Sequence, residues 1–255
     1  MILVSSPQPI KTGAKERINK YLARLGIAAR RKIDTLITEG RVMVNGQPAT
    51  LGQPVIPGQD KILVNGKLVV MTPANVVLQY FGLYKPAGVI STVSDPDGRP
   101  TVMKYFKGLK TRLYPVGRLD QESEGLILMT NDGELAERLA HPRFHLPKIY
   151  LVWVSGEVTP QKLDHLRRGV RLKDGMTAPC EIEATPLENR RWSLLMTLRE
   201  GKNRQIRRML PHVELEVLKL KRIQFGPIGL GALKPGEWHK LSQSELELLK
   251  TQAGV

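Results

Sequence analysis

The sequence predicts an α+β protein in two parts: a small basic N-terminal unit built on a pair of short helices, then a larger domain with a mixed, mostly antiparallel sheet. Three observations carry this. Apolar residues recur at helical spacing near the start, two Asn-Gly pairs follow short apolar runs, and strand-like and helical segments then alternate over about 180 residues. The expected boundaries are a loose tail over 1–14, a first domain over 15–75 and a second over 76–255.

Residues 1–14 begin with a short apolar run and then meet Pro7, Pro9 and Gly13, which interrupt regular structure. Ile18, Tyr21, Leu22 and Leu25 fall on one face of a helix that Gly26 stops. A second helix carries Ile33, Leu36 and Ile37 and ends at Gly40. Its start holds Arg30, Arg31 and Lys32, three cations where the helix dipole disfavours positive charge, so an anionic partner is expected there. Strands over 41–44 and 61–64 each run into Asn-Gly, the two-residue hairpin signal. From Lys15 to Met71 there are ten Lys+Arg against four Asp+Glu. Such a surplus in so small a unit marks a basic binding module.

Thr72 to Asn75 reads as a linker. Beyond it, "VVLQYFGLYKP" is a strand running into Pro86-Ala87-Gly88, and "DPDGRPTV" is a turn-rich loop leading to a short helix. "EGLILMT" is a buried strand, and Asp132 is placed to cap the helix "GELAERLAHP". "KIYLVWVSGEV", "PQKLDHLRRGV" and "RWSLLMTLRE" then read as strand, helix and strand.

Composition narrows the function. A count of 39 Lys+Arg against 24 Asp+Glu gives +15, which points to a polyanionic partner, with nucleic acid ahead of a membrane surface. No stretch approaches 18 uninterrupted apolar residues, and the start lacks the layout of a signal peptide, so a soluble cytoplasmic protein is expected. The lone Cys180 supports neither a disulfide framework nor a structural zinc site and reads as a core residue. His141 and His145 are four apart, but Pro142 lies between them and no metalloprotease pattern surrounds them, so no metal is expected.

Two stretches carry chemistry. In "GRLDQESEGLILMTNDG" Asp120 stands just ahead of a buried strand; alone, an ion pair with Arg118 explains it as well as catalysis does. In "REGKNRQIRRML" five cations fall in twelve residues, and Ile206, Met209 and Leu210 form an apolar stripe after a loop. That junction offers backbone N–H groups and cations to a phosphate or carboxylate.

"ERINKYLARLGIAARRKIDTLITEGRVMVNG", followed by "PGQDKILVNG", resembles the S4 RNA-binding domain, with Ala29 where a Ser often precedes the paired arginines. "GRLDQESEGLILMTNDG", "KIYLV" and "EGKNRQIRRM", in this order, resemble the pseudouridine synthases, in the RsuA-type branch that modifies ribosomal RNA. The resemblance runs from about Lys15 to "PGEWHKLSQSE". It implies that Asp120 is the catalytic aspartate, Arg118 a holder of the displaced nucleotide, and Tyr150 the aromatic that packs on the uracil. It also makes Arg207 the basic partner of the aspartate, favouring its charged form, and Ile206 an apolar wall of the pocket. Arg30, Arg31, Lys32, Arg199, Lys202, Arg204 and Arg208 are then expected on RNA phosphates.

Pseudouridine formation breaks the uracil N1 to C1′ bond and rejoins the base through C5, so no cofactor, metal or ATP is demanded. A carboxylate can attack C1′ or take a proton from C2′, and the sequence leaves both routes open. The target base must leave its stack first, at a cost of a few kcal/mol that RNA contacts offset. The expected partner is ribosomal RNA, the large-subunit (23S) molecule ahead of the small-subunit (16S) one, with the protein a monomer. Two rivals stand beside this reading: a glycosidase using Glu122 and Glu124, and an RNA-binding assembly factor with an inert second domain.

Overall fold

The computed structural model describes residues 14–69, 77–109 and 111–255, so all but the last residue of the expected tail, and the expected linker at 72–75, lie outside the described residues. The chain divides into two compact units, Met1–Leu78 and Gln79–Val255.

In the first unit the helical spacing becomes α1 (Ile18–Arg24) and α2 (Arg30–Thr38). Ile18, Tyr21, Leu22, Ile33, Leu36 and Ile37 are buried against one another, and Asn19 donates to Asp34 across the pair at 2.8 Å. Four short strands follow, β1 (Val42–Val44), β2 (Gln47–Pro48), β3 (Ile62–Val64) and β4 (Lys67–Leu68), in the sheet order β2-β1-β3-β4. Both Asn-Gly pairs make the expected turns. Asn45 and Gly46 have φ of 51° and 84°, and Asn65 and Gly66 have 52° and 75°, the left-handed pair that matches the twist of a two-residue hairpin.

The second unit is built on a nine-stranded sheet. Its strands are β5 (Tyr80–Lys85), β6 (Tyr114–Val116), β7 (Glu124–Thr130), β8 (Lys148–Ser155), β9 (Glu181–Pro186), β10 (Arg191–Leu198), β11 (Glu216–Phe225), β12 (Ile228–Gly229) and β13 (Trp238–Lys240). The main path runs β9-β10-β8-β11-β7-β5-β13, with β6 on β7 and β12 on β11. Every pairing is antiparallel except β11 with β7. The mixed, mostly antiparallel sheet of the sequence reading is therefore the fold, and the join of β11 to β7 is its one parallel seam.

Strand alternation divides the core. Leu126 and Leu128 of β7, with Tyr80 and Tyr84 of β5, face α3 (Gly133–Ala140) and α6 (Gln243–Gln252). Ile127 and Met129 point the other way, with Phe81, Leu83, Phe106 and Leu119. On that second face, beyond the parallel seam, Val152, Val154 and Leu220 pack against α4 (Pro160–Arg168) and α5 (Gln205–Met209). Tyr150 touches both of these clusters and joins them.

Local chemistry fixes the ends of the helices. Asp132 caps α3 as expected, accepting from the N–H groups of Glu134 and Leu135, and Thr159 caps α4 ahead of Pro160. At the seam, Gly125 has φ +107° and no room for a side chain, since a Cβ there would stand 2.2 Å from the Arg222 carbonyl oxygen. Only glycine satisfies both conditions.

Candidate active site

Asp120 lies in the loop between β6 and β7, and its backbone is held from several directions. Buried Ser91 both donates to the Leu119 carbonyl at 2.8 Å and accepts from the Leu119 N–H at 3.0 Å. The Gly88 N–H donates to the Gln121 carbonyl at 2.7 Å, and the Ser123 N–H to that of Asp120 at 3.1 Å. Lys85, fully buried at the end of β5, donates to the carbonyls of Pro86, Gln121 and Ser123 at 2.9, 3.4 and 2.6 Å. The stretch Lys85 to Ser91 is thus a clamp on residues 119–123.

The loop backbone is held at Leu119, Asp120, Gln121 and Ser123; the half-buried Asp120 carboxylate is not held. Among the described residues it accepts no hydrogen bond and makes no ion pair. A carboxylate shielded from water on some sides, with its lone pairs unspent, is available to a reacting atom or proton.

Lys85 and Arg204 carry charge that interacts with it, and Lys148 and Arg222 stand nearby in the sheet around Lys85 and Tyr150. Burial brings the Lys85 ammonium down to about 8, while the Asp120 charge acts in the opposite direction and that of Arg222 adds to the lowering. Arg222, 2% exposed, stands beside Tyr150 across β11 and β8. It gives its Nε–H to the Leu126 carbonyl at 2.7 Å and leaves Nη2 buried without a partner. Lys148 is also brought down to about 8, by burial and then by Arg222. Among the described residues none of Lys85, Lys148 and Arg222 has a carboxylate within ion-pair distance. Sequence reading passed over all three. The available signal was a lysine at the end of an apolar strand, immediately before Pro-Ala-Gly.

The residues singled out from the sequence distribute as follows. Ile206, 3% exposed, sits in the cluster that Tyr150 packs against. Leu119, next to Asp120, sits in the other cluster that Tyr150 touches. Arg118 is exposed on the same loop. Arg207 forms no ion pair with Asp120, and its Nε is buried without a partner. The guanidinium that engages this loop is Arg204, which meets Glu122 at 2.8 Å and whose charge also interacts with that of Asp120. Arg204 reaches it from the residue before α5 in a left-handed conformation, φ +47°, a geometry that costs a non-glycine residue about 1 kcal/mol or more. Arg207 and Arg204 line an open depression of about 450 Å³ with Pro211, Glu214, Leu215, Glu216 and Val217, and Asp120 is not part of its wall.

The remaining expected phosphate contacts of the larger unit are engaged within the protein. Arg208 holds Asp174 with two bonds at 2.8 and 3.0 Å, Lys202 donates to the Asp174 carbonyl at 3.0 Å, and Arg199 approaches Glu181 at 3.6 Å. Arg30, Arg31 and Lys32 are exposed at the start of α2, with no acid in its first turn and no capping side chain. Cys180 is buried, and burial pushes its thiol up to about 11.

Glu122 and Glu124, the carboxylates of the glycosidase reading, are both occupied. Arg204 holds the Glu122 carboxyl below its usual range. Glu124 accepts from the Tyr84 hydroxyl at 2.8 Å and meets Lys219 at 3.0 Å. A retaining or inverting pair requires a protonated acid opposite the ionised one, and neither glutamate is placed to supply it.

Comparison with known proteins agrees with this geometry. Residues 79–212 match the family model for RNA pseudouridylate synthase, and residues 16–60 match the S4 domain. The chain is 42% identical to an uncharacterized RNA pseudouridine synthase of Aquifex aeolicus, covering 94% of this chain and 95% of the relative. It is 41% identical to ribosomal large subunit pseudouridine synthase B of Bacillus subtilis, covering 93% and 97%. A solved structure described as a pseudouridylate synthase superposes with a TM-score of 0.65 at 29% identity, covering 92% of this chain and 99% of its own. Among the described residues no helix is long and apolar enough to cross a membrane. A free carboxylate on a clamped loop thus sits inside a matched domain and an aligned chain: the protein belongs to the RNA pseudouridylate synthase family.

Proposed function

We propose that the protein isomerises one uridine of large-subunit ribosomal RNA to pseudouridine, acting as a monomer in the cytoplasm, with Asp120 as its catalytic carboxylate. The observation that carries this is the contrast between the clamped backbone on either side of Asp120 and the unspent side chain of Asp120. A group that must form and break a bond at C1′, or take the C2′ proton, needs fixed position and free lone pairs together. The large-subunit assignment is supported by the likeness to the Bacillus subtilis enzyme.

In this reading the N1 to C1′ bond breaks and the base turns. A C5 to C1′ bond then forms, the C5 hydrogen leaves as a proton, and N1 gains one, so the composition of the RNA is unchanged. Tyr150 packs against the uracil and Ile206 closes the apolar side of its pocket. Arg118 holds the extruded nucleotide, and Arg207, on the wall of the open depression, is available to a phosphate of the RNA. Arg30, Arg31 and Lys32 capture the RNA by its backbone.

The test is to map pseudouridine by carbodiimide-blocked primer extension on ribosomal RNA from cells with and without the protein. Loss of one large-subunit stop is expected. A stop lost from the small subunit instead, or no loss at all, contradicts the assignment.

A further inference from the structure

Of the three tryptophans, Trp153 has its ring capped by Lys219 and Lys221 at 5.4 and 5.7 Å, and Trp192 packs against the core. Trp238, on the edge strand β13, is 39% exposed yet firmly held. Phe106 lies nearly parallel to it, with centroids 5.4 Å apart at 27°. Phe81 meets it at 5.1 Å and 85°, and its indole N–H is spent on the Tyr105 carbonyl at 2.9 Å. What it offers to the outside is a rigidly held, exposed portion of an indole with no free donor.

The surroundings carry charge. Lys104, Lys107, Lys234 and Lys240 are exposed. Lys240 lies two residues along β13, on the same side of the strand as Trp238. Lys104 lies over the Tyr105 ring at 4.9 Å, and Lys107 follows Phe106. Among the described residues none of the four pairs with a carboxylate, in contrast to Arg199, Arg204 and Arg208. Glu237, the acid of the neighbouring loop, is engaged by the Lys234 backbone N–H at 2.8 Å. Trp238 lies on the catalytic face, since the Phe81 and Phe106 cluster beneath it also contacts Tyr150. Four strand steps separate β13 from β8, about 19 Å at ~4.8 Å each.

We infer that Trp238 is a stacking platform for an unpaired base of the substrate RNA, a few nucleotides from the target uridine, with the four lysines receiving the adjoining phosphates. This rests on the reading that RNA is the substrate. An aromatic whose donor is already spent recognises any base by its face, in the manner of platforms for single-stranded nucleic acid. A second copy of this chain fits poorly: like charges would meet, and one exposed indole is far from the roughly 1,000 Å² that a stable interface buries.

The experiment uses the full chain carrying Trp153→Phe and Trp192→Phe, so that Trp238 alone fluoresces, titrated with a large-subunit ribosomal RNA fragment and with a single-stranded oligouridine. The expected result is quenching of the indole and its protection from iodide, saturating at the RNA concentration that gives half-binding by anisotropy of labelled RNA. RNA that binds by anisotropy while leaving emission and iodide access unchanged overturns the inference. So does quenching that follows protein concentration without RNA. Trp238→Ala is expected to raise KM about tenfold with kcat unchanged, and Trp238→Phe to restore most of it; an unchanged KM in a folded Trp238→Ala protein also overturns it. A wild-type protein that binds RNA and converts no uridine would instead count against the proposed function and leave this reading of binding standing.

Discussion

In the N-terminal unit Arg30, Arg31 and Lys32 open α2 exposed and without an acid beside them, whereas in the larger unit Arg204, Arg208 and Arg199 each end on a carboxylate. The first arrangement stores unfavourable charge at a helix N-terminus, which a polyanion relieves. The second spends charge on internal geometry: Arg204 on the Asp120 loop through Glu122, and Arg208 on the turn at Asp174. Under the proposed function, the first three cations serve affinity for RNA, whereas the other three serve the architecture of the larger unit. In an RNA enzyme that division separates capture of the substrate from positioning of the reacting group.

The comparison breaks first if the frame of the larger unit proves soft. Gly125→Ala forces a Cβ against the Arg222 backbone at a φ that L residues rarely adopt. A loss of about 4 kcal/mol or more is expected, read as a large fall in thermal midpoint or failure to fold. A variant with wild-type stability would show that the β7 and β11 seam yields easily.

Next in size is the clamp. Ser91→Ala leaves the Leu119 N–H and carbonyl without their side-chain partner, a cost of about 1–3 kcal/mol in stability. It is also expected to lower kcat by roughly a hundredfold with little change in RNA affinity, because a small misplacement of a reacting group is costly. Ser91→Thr is expected to recover part of the rate. Loss of stability with unchanged kcat would separate the clamp from catalysis.

The buried ammonium of Lys85 gives a pH signature. Its folded value, about 8, lies below the 10.5 of an exposed lysine. Between these values the unfolded chain binds more protons than the folded one, so this group's contribution to stability rises with pH across that window. The charge it places near Asp120 disappears over the same range. We expect kcat to fall above about pH 8 while the thermal midpoint does not fall on this group's account, and Lys148 shares the direction. A rate flat to pH 10 would remove the Lys85 charge from the mechanism.

The N-terminal cations carry the smallest effect. Replacing Arg30, Arg31 and Lys32 with Ala is expected to weaken RNA binding about tenfold at moderate salt. The steepness of the salt dependence should drop by about two to three phosphate contacts, with kcat at saturating RNA intact. An unchanged salt slope would place capture elsewhere.

What the sequence made legible was local. Both Asn-Gly hairpins, the helix faces of α1 and α2, the Asp132 cap and the apolar stripe of α5 depend on residues within a few positions of one another. The clamp was not legible, because Lys85 acquires its meaning only from the carbonyls of Gln121 and Ser123, 36 and 38 residues on. Ser91 likewise reads as a loop residue until Leu119 closes on it. The parallel seam joins segments some 97 positions apart, with Lys221 opposite Glu124. The assignment of Arg207 as ionic partner came from resemblance; the left-handed turn at Arg204, which brings that guanidinium to Glu122 and near Asp120, leaves no local pattern.

The most direct test of the account compares Asp120→Asn with the Arg30, Arg31, Lys32 triple variant on one ribosomal RNA transcript labelled with tritium at C5 of uridine, measuring RNA affinity and tritium release together. The account predicts that Asp120→Asn binds within about threefold of wild type and releases nothing above background, while the triple variant binds weakly and releases tritium at the full rate once saturated. Tritium release by Asp120→Asn near the wild-type rate would contradict it.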